Sequence, residues 1–422
     1  MQRRAAASGA LGSALEWFDF AVYGALSATL FPTLFFSGLG ESAALIASFA
    51  TFGVGFVARP LGAVVFGFLG DRVGRRPILL TTLVLMGVTS VTIGLLPTGQ
   101  GVLVAAILVL LRFVQGFSLG GEATGAGLVT MEHAHPTRRG LFGSLTTIGS
   151  PVSQVLANLT LLVLSSTLSP DAWASWGWRI PFFLGILLVG IGLYIRLKLE
   201  ETPAFIVQQE NAEQPANGLA VLKRMPLRVI QLTFGWAGVT LTFYLIAVFG
   251  LSYLTSTVGM PANETFSILM IANGVSVAAG LVGGITSDRV GRKKVLIGGA
   301  VGCAVGVAIF FPIANLGQFL PALLVVTLAL SSVQFAFGAQ PAFFAEQFPT
   351  SMRYSGSALA LTFSNLVFAA PAPLVAAALV QAGHTDMVAW LTLGALALAV
   401  LCLSTLRDNS NVDLADFTEA RP

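Results

Sequence analysis

The stretch GDRVGRRPIL, Gly70 to Leu79, returns later in the chain as SDRVGRKKVL, Ser287 to Leu296. In both places a short charged segment with glycine interrupts long apolar sequence. A second pair supports the first: Glu132 is followed by HAHPTRRG, and Glu346 by QFPTSMRYSG. The two pairs have nearly equal separations, so the chain is built from two copies of one unit. Of its 422 residues 55% are hydrophobic and 10% charged, against about 25% charged in an ordinary soluble domain. No soluble fold hides that much apolar surface, so the repeated unit belongs in a membrane.

Apolar segments of about 20 residues or more, long enough for a hydrocarbon core of about 30 Å, recur from end to end. About twelve spans are read, near 10–34, 42–69, 77–96, 101–130, 140–166, 179–199, 228–257, 264–286, 293–313, 318–345, 354–381 and 386–406. The polar run from Glu200 to Pro226 divides them six and six. The expected architecture is therefore all-α: a six-helix bundle over 1–199, a cytoplasmic linker over 200–226, a second six-helix bundle over 227–407 and a short cytoplasmic tail over 408–422. Duplicated bundles imply a pseudo-two-fold axis along the membrane normal and a site near the midplane between them. The first span is too long and too acidic for a cleavable leader, so it is expected to stay in the mature protein. With the N-terminus inside, every Lys and Arg except Arg59, Arg112 and Arg179 falls on cytoplasmic segments or span ends. That bias places both termini in the cytoplasm. Cys303 and Cys402 lie in apolar spans without metal or redox spacing, and His133, His135 and His384 fall in turns away from the midplane.

The stretches ALEWFDFAVYG, VARPLGAVVFGFLGDRVGRRP, RFVQGFSLGGE, WGWRIPFFLG, LKLEETPAF and AEQFPTSMRYSG, in this order, carry a resemblance to the major facilitator superfamily over nearly the whole chain. Within it the chain resembles the metabolite:proton symporters, whose members carry organic acids such as shikimate, citrate and 2-oxoglutarate, or the osmolytes proline and betaine. Phe68, where many relatives have a basic residue, and Ala123, where an aromatic is common, depart from the pattern and bear on the substrate.

Two acids, Glu16 and Asp19, interrupt the first span. A charge at the centre of a membrane helix costs roughly 2.5 to 3.5 kcal/mol, so both need a reason to be there. At about 100° per residue Glu16, Asp19 and Tyr23 share one helix face, and Arg112, Gln115 and Glu122 share another. Rise per residue puts Asp19 and Arg112 both near the midplane, about ten residues in from opposite sides. They are expected to pair. A buried carboxylate holds a proton unless a nearby cation stabilises its charge, so such a pair is a proton switch. Asp19 is the first choice as proton carrier, and the resembling porters point the same way. Glu16 and Glu122 either pass the proton on or serve as static bridges to Arg112.

Arg59, also near mid-depth, either forks onto a substrate carboxylate or is a packing element before Pro60. Tyr23, Gln115, Gln154, Asn158, Trp236, Thr240, Tyr244, Gln334 and Asn365 complete the expected substrate site, since a few polar groups in an apolar pocket orient a small ligand. Asp71 is placed to meet helix N-terminal amides or Arg, while Arg72, Arg75 and Arg76 suit helix C-termini. The resemblance implies a cytoplasmic gate from these residues, and from Glu132 with Arg138 and Arg139, Asp288 with Arg289 and Arg292, and Glu346 with Arg353.

The expectation is a proton-coupled symporter of the bacterial inner membrane. It works as a monomer in the lipid bilayer, takes up a small organic acid or zwitterion by alternating access, and uses the proton gradient and no cofactor. A proton-driven efflux antiporter on the same fold is the alternative, since direction does not follow from residues. A ligand-binding receptor would need a sensing domain that the short linker and tails lack. No metal cluster, nucleophile constellation or nucleotide loop points to an enzyme, and nothing points to nucleic acid.

Overall fold

The computed structural model describes residues 17–73, 75–99, 101–120, 138–197, 220–349 and 352–410, and all regular structure among them is helical. Apolar sequence in hydrocarbon has little choice: each backbone N–H and C=O must be satisfied within its own helix. In chain order, α1 covers 17–29, α2 Glu41–Val73, α3 Arg75–Leu95, α4 Val102–Gly120, α5 Arg139–Thr167 and α6 Ile180–Leu197. Then follow α7 Pro226–Thr257, α8 Ala262–Val290, α9 Arg292–Ala314 and α10 Phe319–Ala345. The last two are α11, Ser355–Gln381, and α12, Thr385–Thr405. Among the described residues nine helices are long and apolar enough to cross a membrane, and Leu80–Leu95 and Gly177–Leu187 are shorter apolar helices. Where the expected spans fall on described residues, the helix ends lie within a few residues of them; the spans near 10–34, 101–130 and 179–199 extend into 10–16, 121–130 and 198–199, outside the described residues.

Two of the irregular turns lie beside proline. α5 is interrupted at Ile148, where Pro151 has no N–H to offer the carbonyl of Thr147. α11 passes through a π-helical turn, Asn365–Ala369, just before Pro371. α7 carries two such turns, Leu245–Phe249 and Tyr253–Thr257. Gly291, with φ at 99°, makes the abrupt reversal between α8 and α9 in the repeated SDRVGRKK segment.

The internal repeat is visible as packing. A Cβ on Gly120 of α4 would lie 2.0 Å from the Arg59 carbonyl oxygen and 2.7 Å from the Ala63 nitrogen of α2. One on Gly338 of α10 would lie 2.2 Å from the Gly280 carbonyl oxygen and 2.6 Å from the Gly284 nitrogen of α8. The second and fourth helices of each repeat therefore cross backbone to backbone at matching places. Small residues at such crossings are how membrane helices approach closely enough for van der Waals contact to hold them.

Among the described residues, first-half and second-half helices meet at several places. α5 packs on α8, with the Ser144 side chain 2.6 Å from where a Cβ on Gly284 would sit. Trp17 and Phe20 of α1 stand edge-to-face against Phe243 and Tyr244 of α7, each pair 6.2 Å between ring centres. α2 touches α11, where the Gln381 amide donates to the Ser42 carbonyl at 3.1 Å.

Candidate functional site

Asp19 on α1 is 5% exposed and Arg112 on α4 is fully buried. The Asp19 carboxylate accepts hydrogen bonds from the Ser90 hydroxyl of α3 and from the Gln115 amide of α4. Gln115 completes the link: its Oε1 accepts from Arg112 Nη1 at 2.5 Å, and its Nε2 lies 2.8 Å from Ser90 Oγ. The sequence puts Asp19 and Arg112 at one depth where they can pair, and the connection between them runs through the Gln115 amide. Gln115 stands one turn beyond Arg112 on the same face, so one side chain reaches both the cation and the acid. Ser90 is a member that sequence reasoning missed. Its only signal is a hydroxyl on the buried face of α3 shared with Met86 and Ile93.

The Arg112 guanidinium rests among rings, 4.1 Å from the Tyr23 centroid, 4.7 Å from Phe20 and 5.4 Å from Phe52. Desolvated cation–π contacts of this kind contribute roughly 2 kcal/mol, which helps hold a charge away from water. Tyr23, an expected ligand, shares its hydroxyl with Thr51 at 2.6 Å and presents its ring to the arginine. Arg59 lies 4.8 Å from both the Phe20 and the Phe56 ring, so Phe20 serves both cations. Tyr244 closes this aromatic group across the seam, 5.2 Å from Phe56 and 6.1 Å from Phe52. Phe20, Phe52 and Phe56 are absent from the sequence expectation, where they are ordinary apolar residues of the spans.

Other expected ligands divide by surroundings. Thr240 donates to the Asn365 side-chain oxygen at 3.0 Å, joining α7 to α11. Trp236 packs edge-to-face on Phe337 at 4.7 Å and on Phe344 at 6.1 Å, deep between α7 and α10. Gln154 is buried and gives its carbonyl to the Asn158 amide at 2.7 Å, leaving Asn158 Oδ1 without a hydrogen-bond partner. Gln334 is buried with neither amide atom partnered, and so is Oδ1 of Asn273 on α8, a residue absent from the sequence expectation. Glu16 and Glu122 lie outside the described residues.

A second charged cluster surrounds the α8–α9 turn. Asp288 reaches across to the start of α5, accepting from Gly140 N at 2.8 Å and Leu141 N at 2.9 Å. A carboxylate on those free amides caps the helix and meets the positive end of its dipole. Arg292 lies 3.5 Å from Asp288 and 3.2 Å from Glu346, so one buried guanidinium serves both acids. Burial pushes the Glu346 carboxyl up to about 8, with Arg292 and Arg139 pulling the other way. Arg353 donates to the Ala345 carbonyl at 3.1 Å, and Arg138 and Arg289 are exposed. The segment after α12 straps this cluster: Ser410 O accepts from Arg292 at 3.2 Å, Asn409 donates to Glu346 O at 2.8 Å, and Asp408 accepts from Lys293 N at 3.0 Å. Glu132 and the side chains of Asp71, Arg72, Arg75 and Arg76 lie outside the described residues.

Residues 5–233 match the family described as sugar (and other) transporter, and 258–421 match the major facilitator superfamily. The chain belongs to the major facilitator superfamily. Among its curated relatives, the inner membrane metabolite transport protein YhjE of Escherichia coli is 37% identical, over 87% of this chain and 85% of the relative. The glycine betaine/proline/ectoine/pipecolic acid transporter OusA of Dickeya dadantii is 35% identical, over 90% of this chain and 78% of its own. The shikimate transporter of Escherichia coli is 31% identical, over 96% and 95%. A crystal structure of the D-xylose-proton symporter shares the fold, with a TM-score of 0.77 at 18% identity over 96% of this chain and 98% of that one. This superfamily member is thus a multi-pass membrane transporter and not an enzyme.

Proposed function

We propose that the chain is a proton-coupled symporter of the bacterial inner membrane that takes up a small organic acid or zwitterion. It works by alternating access, with twelve spans in two six-helix bundles and both termini in the cytoplasm. The observation that carries this reading is the sealed chain Ser90–Asp19–Gln115–Arg112, in which a buried acid is tied to a buried cation. A carboxylate so placed changes its hold on the cation's partner when it takes a proton. Membrane-embedded acids of this kind mark proton paths. The cargoes in the relatives' names support the substrate class, since shikimate, betaine, proline, ectoine and pipecolic acid each carry a carboxylate.

In this cycle Asp19 receives a proton from outside while substrate settles among Arg59, Arg112, Gln115 and Tyr244 of α7. The bundles then rock about the seams, and both cargoes leave to the cytoplasm. Asp288 and Arg292 re-form the inner seam each time the carrier faces outward. No cofactor takes part, and the monomer is the working unit. Asp19→Asn is expected to abolish uphill accumulation in proteoliposomes with an imposed pH gradient while leaving exchange. Wild-type gradient-driven uptake by that variant would remove Asp19 from the mechanism. Counterflow against either sign of gradient separates uptake from the efflux alternative.

A further inference from the structure

Arg112 has more donors than its surroundings use. Its Nη1 is spent on Gln115, but Nε and Nη2 are buried without a hydrogen-bond partner, in a side chain with no solvent exposure. Buried charged donors left unmade are costly, so a fixed pair of them calls for an occupant. The aromatic rings beside the guanidinium hold the cation but offer no lone pair in its plane. Nε and Nη2 together form the side-on fork of a guanidinium, the edge whose two parallel N–H bonds match the two oxygens of a carboxylate.

A glycine of α2 borders that edge. A Cβ on Gly55 of α2 would lie 3.1 Å from Arg112 Nε and 3.6 Å from Nη2, close to where an acceptor oxygen would sit. Any other residue at 55 fills that seat. The neighbouring α1 and α7 rings, Phe20 and Tyr244, meet across a seam between the halves, so parting the halves opens a route to it.

We propose that Arg112 handles two cargoes on separate edges: through Nη1 and Gln115 it answers the proton on Asp19, and its Nε–Nη2 edge receives the carboxylate of a carried monocarboxylate. This rests on the reading of the chain as a carrier and names the atoms that select its substrate. Analogues whose carboxylate is esterified are rejected because they leave the fork unmade.

The test uses the purified full chain in detergent, with glycine betaine, L-proline and shikimate as probes, each beside its methyl ester. Thermal midpoints are read over a concentration series, since a bound ligand raises apparent stability by mass action. At least one acid is expected to shift the wild-type midpoint, with its ester binding about 100-fold more weakly. Gly55→Ala and Arg112→Lys should both lose the shift, the first by filling the seat and the second by keeping the charge without the fork. An ester that binds as well as its acid overturns the proposal. A carboxylate whose affinity survives in folded Gly55→Ala also overturns it but leaves the transport reading standing. A wild-type chain that binds none of the three acids counts against both.

Discussion

Replacing Asp288 by alanine should loosen the seam between α5 and α8 by a predictable amount. The carboxylate accepts from two amides at the start of α5, at 2.8 and 2.9 Å, and its charge faces the positive end of that helix. Removing an N-terminal cap costs about 0.5–2 kcal/mol, and losing the charge at the dipole about 0.3–1 kcal/mol more. Together that is roughly 1–3 kcal/mol, or about five- to 150-fold in the ratio of joined to parted seams. Asp288→Asn keeps one acceptor oxygen and should show about half the effect in free energy. Spin labels on cysteines at the exposed positions 138 and 289 would report the distance across the seam by pulsed dipolar spectroscopy, with Cys402 replaced by serine. A longer-distance population should grow in Asp288→Ala. Gly140→Val should act in the same direction, because a Cβ there would lie 2.1 Å from Ser287 Oγ. Unchanged distance distributions in both folded variants would refute the idea that this contact holds the seam.

Glu346 predicts a pH effect. Its carboxyl is pushed from 4.5 up to about 8, first by burial, so the folded chain binds that proton more tightly than the unfolded one. By linkage the contribution to stability is complete below the ordinary carboxylate value and lost as pH rises through about 8. The thermal midpoint should therefore fall over that window and flatten in Glu346→Gln; equal slopes for both proteins would exclude Glu346 as the source. Gly338→Val should prevent α10 from seating on α8, given the 2.2 Å approach to the Gly280 carbonyl, and give no monodisperse peak in size-exclusion chromatography. A folded variant with wild-type stability would show that this crossing is not tight.

Much of the fold was written along the chain. The duplicated GDRVGRR and SDRVGRKK segments announced two copies, and long apolar runs between them could satisfy their backbones in lipid only as helices. Helical periodicity likewise placed Asp19 with Tyr23 and Arg112 with Gln115 on single faces, because a helix repeats locally and every residue's direction follows from its neighbours. Periodicity says which way a side chain leaves its own helix and nothing about what it meets. That Gln115 stands between Asp19 and Arg112, that Ser90 joins from α3, and that Asp288 caps α5 depended on how separate helices rotate and cross. Trp236 shows the same limit from the other side, since its helical position suited a ligand site while the rings of α10 surround it. The sequence by itself determined the helices, their repeat and their polar stripes, because those are set by local geometry and by the solvent. Only the tertiary structure decided which groups share protons and charges, because contacts within 3 Å depend on crossings that glycines such as Gly120 and Gly338 permit from far along the chain.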